Sequence, residues 1–184
     1  MYPYESLARC FAERNGEPLW IGLDPGTTKT GWVVFDPKEE AVLHAGHDPN
    51  EFVINLLECG SLGDKVIMEC FAAQGMPLGE SSIETVRWEG RFMERSRTEV
   101  CRITRREVKV ELCNSARAKD ANIRQALVDL YAHGFGNHGY GTKAEPSPLY
   151  RMKGSGSHGF SALAVCTAWL RKTLAWGQHP SSHT

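Results

Sequence analysis

The chain has 184 residues, of which 41% are hydrophobic and 23% are charged, and its formal net charge is −1. This composition predicts a folded, soluble domain with a sizeable core, and it argues against a disordered chain or a globally basic nucleic-acid binder. No apolar run is long enough to cross a membrane, and the six cysteines show no CxxC spacing. We therefore expect a cytoplasmic protein without membrane contacts, zinc site or disulfide framework.

The predicted order is three strands, a helix, a strand, a helix, a strand and two helices, which favours an α/β layered domain. Residues 1–18 are predicted as a lead-in, 19–176 as the domain and 177–184 as a disordered tail. Apolar runs bounded by Gly, Pro and Asp predict the strands at residues 19–23, 31–35, 41–45, 66–70 and 108–112.

Four helices are predicted from apolar residues at helical spacing and from capping residues. They open at Asp48-Pro49-Asn50 with Pro in the first turn, at Ser81 or Ser82, at Asp120 and at Ser157. The Gly-rich stretch 134–157 is predicted as a mobile loop.

The segment Ile21–Gly31, with the sequence IGLDPGTTKTG, is the most informative part of the chain. An apolar strand runs into Asp24, and a Gly-rich turn follows at once. Gly26 and Gly31 leave space beside this carboxylate for a metal ion or a phosphate. The alternative is an ordinary hairpin whose aspartate caps the turn.

Glu69 stands at the end of the fourth predicted strand, as Asp24 stands at the end of the first. If these two strands are neighbours, the two carboxylates meet and repel each other unless a cation lies between them. Hard oxygen ligands select Mg²⁺ or Mn²⁺. Two such ions about 4 Å apart can clamp the oxygens of an in-line phosphoryl displacement.

Further candidate metal ligands lie at the starts of the last two predicted helices. His158 and Ser161 are three residues apart and share a helix face, with a surface histidine as the alternative. Asp120 is another candidate ligand, although capping of its helix is the favoured interpretation.

Four segments together resemble the RuvC-type Holliday junction resolvases, and most closely their phage or prophage relatives: IGLDPGTTKTGWVVFD, VIMECF, RAKDANIRQAL and SHGFSALAV. The resemblance implies a ribonuclease H-like fold, with a central mixed five-stranded sheet flanked by helices. It also implies a homodimeric, metal-dependent endonuclease that nicks branched DNA in a bacterial or phage-infected bacterial cell.

The resemblance assigns Asp24 and Glu69 as catalytic metal ligands and His158 as a late catalytic ligand. Ser161 stands where the family usually has its last aspartate, so the site carries one negative charge fewer. A two-metal site is still expected, and Mn²⁺ is expected to be preferred because imidazole suits Mn²⁺ better than Mg²⁺.

Local basic residues are candidates for phosphate contacts, since arginine and lysine dominate DNA affinity. The alternative for each of them is a solvated basic surface. The candidates are Lys29, Arg87, Arg91, Arg117, Lys119 and Lys153.

Two other functions fit parts of the sequence. Ser161 is compatible with a catalytically weak or inactive DNA-binding relative. The segment Asp24–Thr28 also resembles the phosphate loop of actin-like ATPases, but those proteins need two such domains to enclose a nucleotide, so no nucleotide cofactor is expected here.

Overall fold

The computed structural model describes residues 18–58, 63–73, 75 and 77–177, with only the backbone for 175–177. The predicted lead-in before Pro18 and the predicted tail after Gly177 lie outside these residues. Within the described ranges, none of the helices combines the length and the apolar character that a membrane span requires.

A mixed five-stranded sheet forms the centre of the domain, as predicted. Its spatial order is β3-β2-β1-β4-β5. The first three strands pair in antiparallel fashion, whereas β4 runs parallel to both β1 and β5. The strands are β1 Trp20–Asp24, β2 Lys29–Asp36, β3 Ala41–Pro49, β4 Lys65–Cys70 and β5 Glu99–Thr104.

In the part of the chain that the structure describes, five α-helices cover the two faces of this sheet. The first two pack on one face, and the other three pack on the opposite face. They are α1 Asn50–Glu58, α2 Glu80–Arg95, α3 Arg105–Cys113, α4 Asp120–Tyr131 and α5 Gly156–Gly177.

The alternation of side chains along β2 shows why the sheet is covered on both sides. Trp32 and Val34 belong to the core beneath α1 and α2, whereas Val33 and Phe35 belong to the core beneath α3, α4 and α5. All four side chains are buried. Successive strand residues point to opposite faces, so a continuous apolar run requires a layer of helices on each face.

The fifth predicted strand, 108–112, is wrong, because these residues form most of α3. Val108 and Leu112 are buried four residues apart on one helix face, and Val110 between them is exposed. Thr104 and Glu107 form a reciprocal capping box at the start of this helix. This Thr-x-x-Glu pattern was the sequence signal for a helix that the apolar alternation concealed.

Two other local predictions also need correction. Pro49 ends β3 rather than lying in the first turn of a helix, and α1 begins at Asn50. The 134–157 stretch, predicted as a mobile loop, contains two short 3-10 helices and the fully buried side chains of Leu149 and Met152, which attach it to the core.

The Glu107 carboxylate links α3 to α5. It accepts hydrogen bonds of 2.8 Å from the Thr104 backbone and 2.7 Å from Lys172 Nζ. Partial burial alone would raise its pKa, but the hydrogen bonds from Lys172 and Thr104 outweigh that effect and lower the pKa to about 2. The ionised form is therefore favoured in the folded state.

Replacing Glu107 by Gln is expected to lower the free energy of unfolding by about 1 kcal/mol at pH 7. Because the folded pKa lies below the ordinary value of 4.5, this contribution is complete above about pH 5 and declines as the pH falls toward about 2. Urea unfolding of both proteins between pH 7 and pH 3 measures the difference. A difference that keeps its full size at pH 3 would contradict this account.

Candidate active site

Asp24 and Glu69 meet at the ends of two neighbouring parallel strands, as the sequence predicted. Leu23 of β1 lies opposite Met68 of β4, and the two acids are the next residue of each strand. Both side chains are only 17% exposed. The carboxylates therefore lie on rigid strands and are largely shielded from water.

The Gly-rich turn after Asp24 is held by the buried side chain of Asn50. Thr30 Oγ1 donates to Asn50 Oδ1 at 2.7 Å, and Asn50 Nδ2 donates to the Gly26 carbonyl at 3.0 Å. The Asn50 backbone N–H also donates to the Thr28 carbonyl. Because buried polar groups that are fully paired allow little movement, this network fixes the turn beside the acid.

The start of α5 brings His158 to Asp24. His158 Nδ1 lies 3.0 Å from Asp24 Oδ2, and its ring stacks on His47 with a centroid distance of 4.2 Å. This approach depends on Gly31, where an added Cβ would overlap the His158 carbonyl and lie 2.7 Å from the His158 Cβ. His47 lies opposite Gly31 in the sheet and was not predicted as a site residue.

All five residues predicted as possible metal ligands line one cavity of about 430 Å³. Ser161 lies in it one helical turn after His158. The cavity also contains Arg105 and Arg124, and the five predicted residues are Asp24, Glu69, Asp120, His158 and Ser161. The sheet and the starts of α3, α4 and α5 thus converge on one location.

Arg105 bridges two of these acids and was not predicted to do so. Its Nη1 lies 3.0 Å from Glu69 Oε2, and its Nη2 lies 2.6 Å from Asp120 Oδ1. The capping interpretation of Asp120 is wrong, since Lys119 occupies the N-cap position of α4 and Asp120 turns its carboxylate to Arg105. Asn122 instead accepts the Lys119 backbone N–H.

Burial sets the electrostatics of the two strand-end acids. It raises the pKa of Asp24, against the lowering effect of His158. It raises the pKa of Glu69 to about 7, opposed by Arg105 and reinforced by the negative charge of Asp24. The charge of Asp24 disfavours ionisation of Glu69, and a cation between the two shielded carboxylates would stabilise their ionised forms.

The donor chemistry at this edge therefore fits a hard divalent cation, with Asp24 and Glu69 as oxygen ligands and His158 as a nitrogen ligand. Among the described residues, however, no three potential ligands are already arranged around a common point. Arg105 and His158 each engage one oxygen of these carboxylates, so a cation would bind the remaining oxygens or replace these contacts.

None of the six residues predicted to contact phosphate lines this cavity. Arg117 and Lys119 are exposed just before α4, and Lys29 is exposed at the start of β2. Arg87 pairs with Glu84 on α2.

Arg91 and Lys153 lie over aromatic rings, those of Trp88 and Tyr150. Inside the cavity the basic side chains are Arg105 and Arg124, and Arg124 lies 3.9 Å from the centre of the Phe160 ring.

No protein-family model matches the chain, and no curated protein sequence matches it either. Several solved structures do match the chain. A Thermus thermophilus RuvC structure has a TM-score of 0.55 at 17% identity, covering 85% of this chain and 96% of its own. The same protein in complex with a Holliday junction substrate has a TM-score of 0.53 at 17% identity, covering 86% and 96%.

The yeast mitochondrial Holliday junction resolvase Ydc2 is a further similar structure. It has a TM-score of 0.56 at 10% identity, covering 97% of this chain and 90% of its own. At these identities the likeness concerns the fold. The α/β, ribonuclease H-like architecture expected from the sequence is thus confirmed, and the chain has the fold of the RuvC-type resolvases.

Proposed function

We propose that this protein is a metal-dependent endonuclease that nicks branched DNA, such as four-way junctions, by phosphodiester hydrolysis. The observation that carries the proposal is the cavity in which Asp24, Glu69 and His158 converge at the end of β1 and β4. A neighbour of the same fold is in complex with a Holliday junction substrate. The setting would be DNA recombination, repair or phage branch resolution in the cytoplasm of a bacterial or phage-infected cell.

Asp24 and Glu69 would hold Mg²⁺ or Mn²⁺ together with His158, with Mn²⁺ favoured by the imidazole. When bound, such a cation activates water and stabilises the leaving oxygen of a phosphodiester. The side chains hold their positions through the rigid strands, the Asn50 network and the contact of α5 with Gly31. Such preorganisation lowers the cost of aligning the reacting groups.

DNA would reach this cavity along the basic residues at its rim. Lys119 and Arg117 lie beside Asp120 in the chain, and Arg124 lines the cavity itself. Because the net charge of the whole chain is −1, phosphate contacts must be concentrated locally. The affinity for DNA should therefore fall steeply as salt concentration rises.

The direct test is cleavage of a synthetic four-way junction in Mg²⁺, in Mn²⁺ and in EDTA, beside linear duplex of the same sequence. We expect nicks in the junction with either metal, faster with Mn²⁺, and none in EDTA. Affinity for the junction should exceed affinity for linear duplex at moderate salt. Equal cleavage of both substrates would point to a non-specific nuclease.

A catalytically weak, junction-binding protein is the second candidate, and Ser161 in the cavity favours it. Ser161 provides a hydroxyl where a carboxylate would strengthen cation binding. In that case the same assay would show selective junction binding with no product in either metal. ATP hydrolysis without DNA would instead support a nucleotide-binding protein.

We further propose that the protein is a homodimer that pairs through α2. Ile83, Val86 and Met93 are exposed by 41%, 42% and 39%, and they form one apolar stripe at helical spacing. Trp88 and Phe92 anchor the opposite face of α2 in the core. A second copy would cover the stripe and place one cavity on each protomer.

Val86→Lys is expected to weaken dimerisation at least about tenfold, because a dimer would bury an unpaired charge from each copy. Sedimentation velocity over a range of concentrations measures this. Ser81→Lys, at an exposed polar position of the same helix, is the matched control and should remain dimeric. A monomeric wild-type protein, or equal behaviour of the two variants, would refute this interface.

A further inference from the structure

Arg105 occupies a position in the cavity that a metal ion could otherwise take. Its guanidinium contacts Glu69 on one side and Asp120 on the other, at 3.0 Å and 2.6 Å. The side chain is 26% exposed and belongs to the first residue of α3. The capping box of Thr104 and Glu107 holds the backbone at this point, so the Cα position of Arg105 is fixed relative to the cavity.

The charged side chains of the cavity leave little negative charge for more than one divalent cation. Asp24, Glu69 and Asp120 supply three carboxylates, and Arg105 and Arg124 offset two of them. Ser161 adds no charge. Arginine stays protonated even when it is partly buried, so its contribution persists at every working pH. One divalent cation already offsets the remaining negative charge, and a second would leave a large excess of positive charge.

The position of Arg105 also suits contact with a phosphate. It lines both the 430 Å³ cavity and a neighbouring cavity of about 520 Å³, and both cavities share Asp24 and Glu69. Its planar guanidinium can donate two parallel hydrogen bonds to the oxygens of a phosphodiester, in bidentate geometry. A phosphate placed beside the two strand-end acids would therefore lie within reach of this guanidinium.

We propose that this site works with one divalent cation, held by Asp24 and Glu69, and that Arg105 supplies the second positive charge. Arg105 binds the scissile phosphate and stabilises the charge that develops on it. Asp120 is a positioning residue that holds Arg105 in place rather than a metal ligand. This inference rests on the proposed nuclease function for the phosphate contact, but the cation number can be measured without DNA.

The test is a titration of the full-length protein with Mn²⁺, in which the unbound ion is counted by electron paramagnetic resonance. We expect one tightly bound Mn²⁺ per chain for the wild type and for Arg105→Lys. Arg105→Gln should bind two, because Glu69 and Asp120 then face each other without a cation. Arg171→Gln is the matched control, because it removes an arginine of α5 that does not line the cavity. It should bind one Mn²⁺.

Asp120→Asn should still bind one Mn²⁺ with little change in affinity, whereas a ligand role for Asp120 predicts a large loss. Cleavage by Arg105→Gln should fall by about 100-fold or more even at saturating Mn²⁺, with partial retention in Arg105→Lys. Circular dichroism of each variant checks that it is folded.

Two tightly bound ions in the wild type, or no gain of a second ion in a folded Arg105→Gln, would overturn the proposal. So would full cleavage activity in Arg105→Gln. Failure of the proposed function has a different signature, namely one bound Mn²⁺ in the wild type and no cleavage of junctions. In that case one cation per chain is still supported, and the proposed contact of Arg105 with a scissile phosphate is refuted together with the nuclease function.

Discussion

Asp24→Asn and Glu69→Gln are each expected to lower the rate of junction cleavage by about 1,000-fold or more while junction binding persists. Both substitutions keep the shape of the side chain and remove the charge that would hold the cation. The measurement is single-turnover cleavage with saturating protein, and binding is measured separately in EDTA. Asp129→Asn, an exposed position on α4, is the control and should cleave normally.

The stability of these variants separates a chemical loss from unfolding. The folded pKa of Glu69 is about 7, above its ordinary value of 4.5, so the ionised form costs stability as the pH rises through this interval. Glu69→Gln removes that cost, and its thermal midpoint in EDTA at pH 8 should not fall below that of the wild type. Near-normal cleavage by either acid variant would disprove the proposed metal site.

Gly31→Ala should lower the rate of cleavage by about 100-fold, because a misplacement of about 1 Å can cost that much. The added methyl would overlap the backbone of His158 and displace the start of α5 from β2. The contact between His158 and Asp24 at 3.0 Å depends on this approach. Single-turnover cleavage is again the measurement.

Gly136→Ala provides the matched control for this substitution. Gly136 has a φ of −70°, and an added Cβ there has no atom within 4 Å. It should cleave at the wild-type rate. If Gly31→Ala also cleaves at that rate, the close packing of α5 on Gly31 is not needed for the proposed chemistry.

Local patterns in the sequence determined much of the sheet. The run Trp32–Phe35 alternates between two cores, and a strand covered on both faces must read as a continuous apolar run. Asp24 and Glu69 were identified because an acid directly after an apolar strand is a local signal. Their proximity followed from one further assumption, the pairing of β1 with β4, which the fold confirms.

The fifth strand and the roles of Arg105 and Asp120 depended on information that is not local. Val108 and Leu112 are separated by four residues, a spacing that fits a strand face and a helix face alike. This spacing therefore does not indicate that Arg105 begins a helix and contacts Glu69.

The sequence by itself determined the alternating core and the two strand-end acids, since both follow from residues close together in the chain. Only the tertiary structure brought His47 onto His158 and placed Arg105 between Glu69 and Asp120. Those contacts join residues that are 15 to 111 positions apart in the sequence. Whether such distant charges or rings meet depends on which helices and strands pack together, and the periodicity of residues along the chain does not determine it.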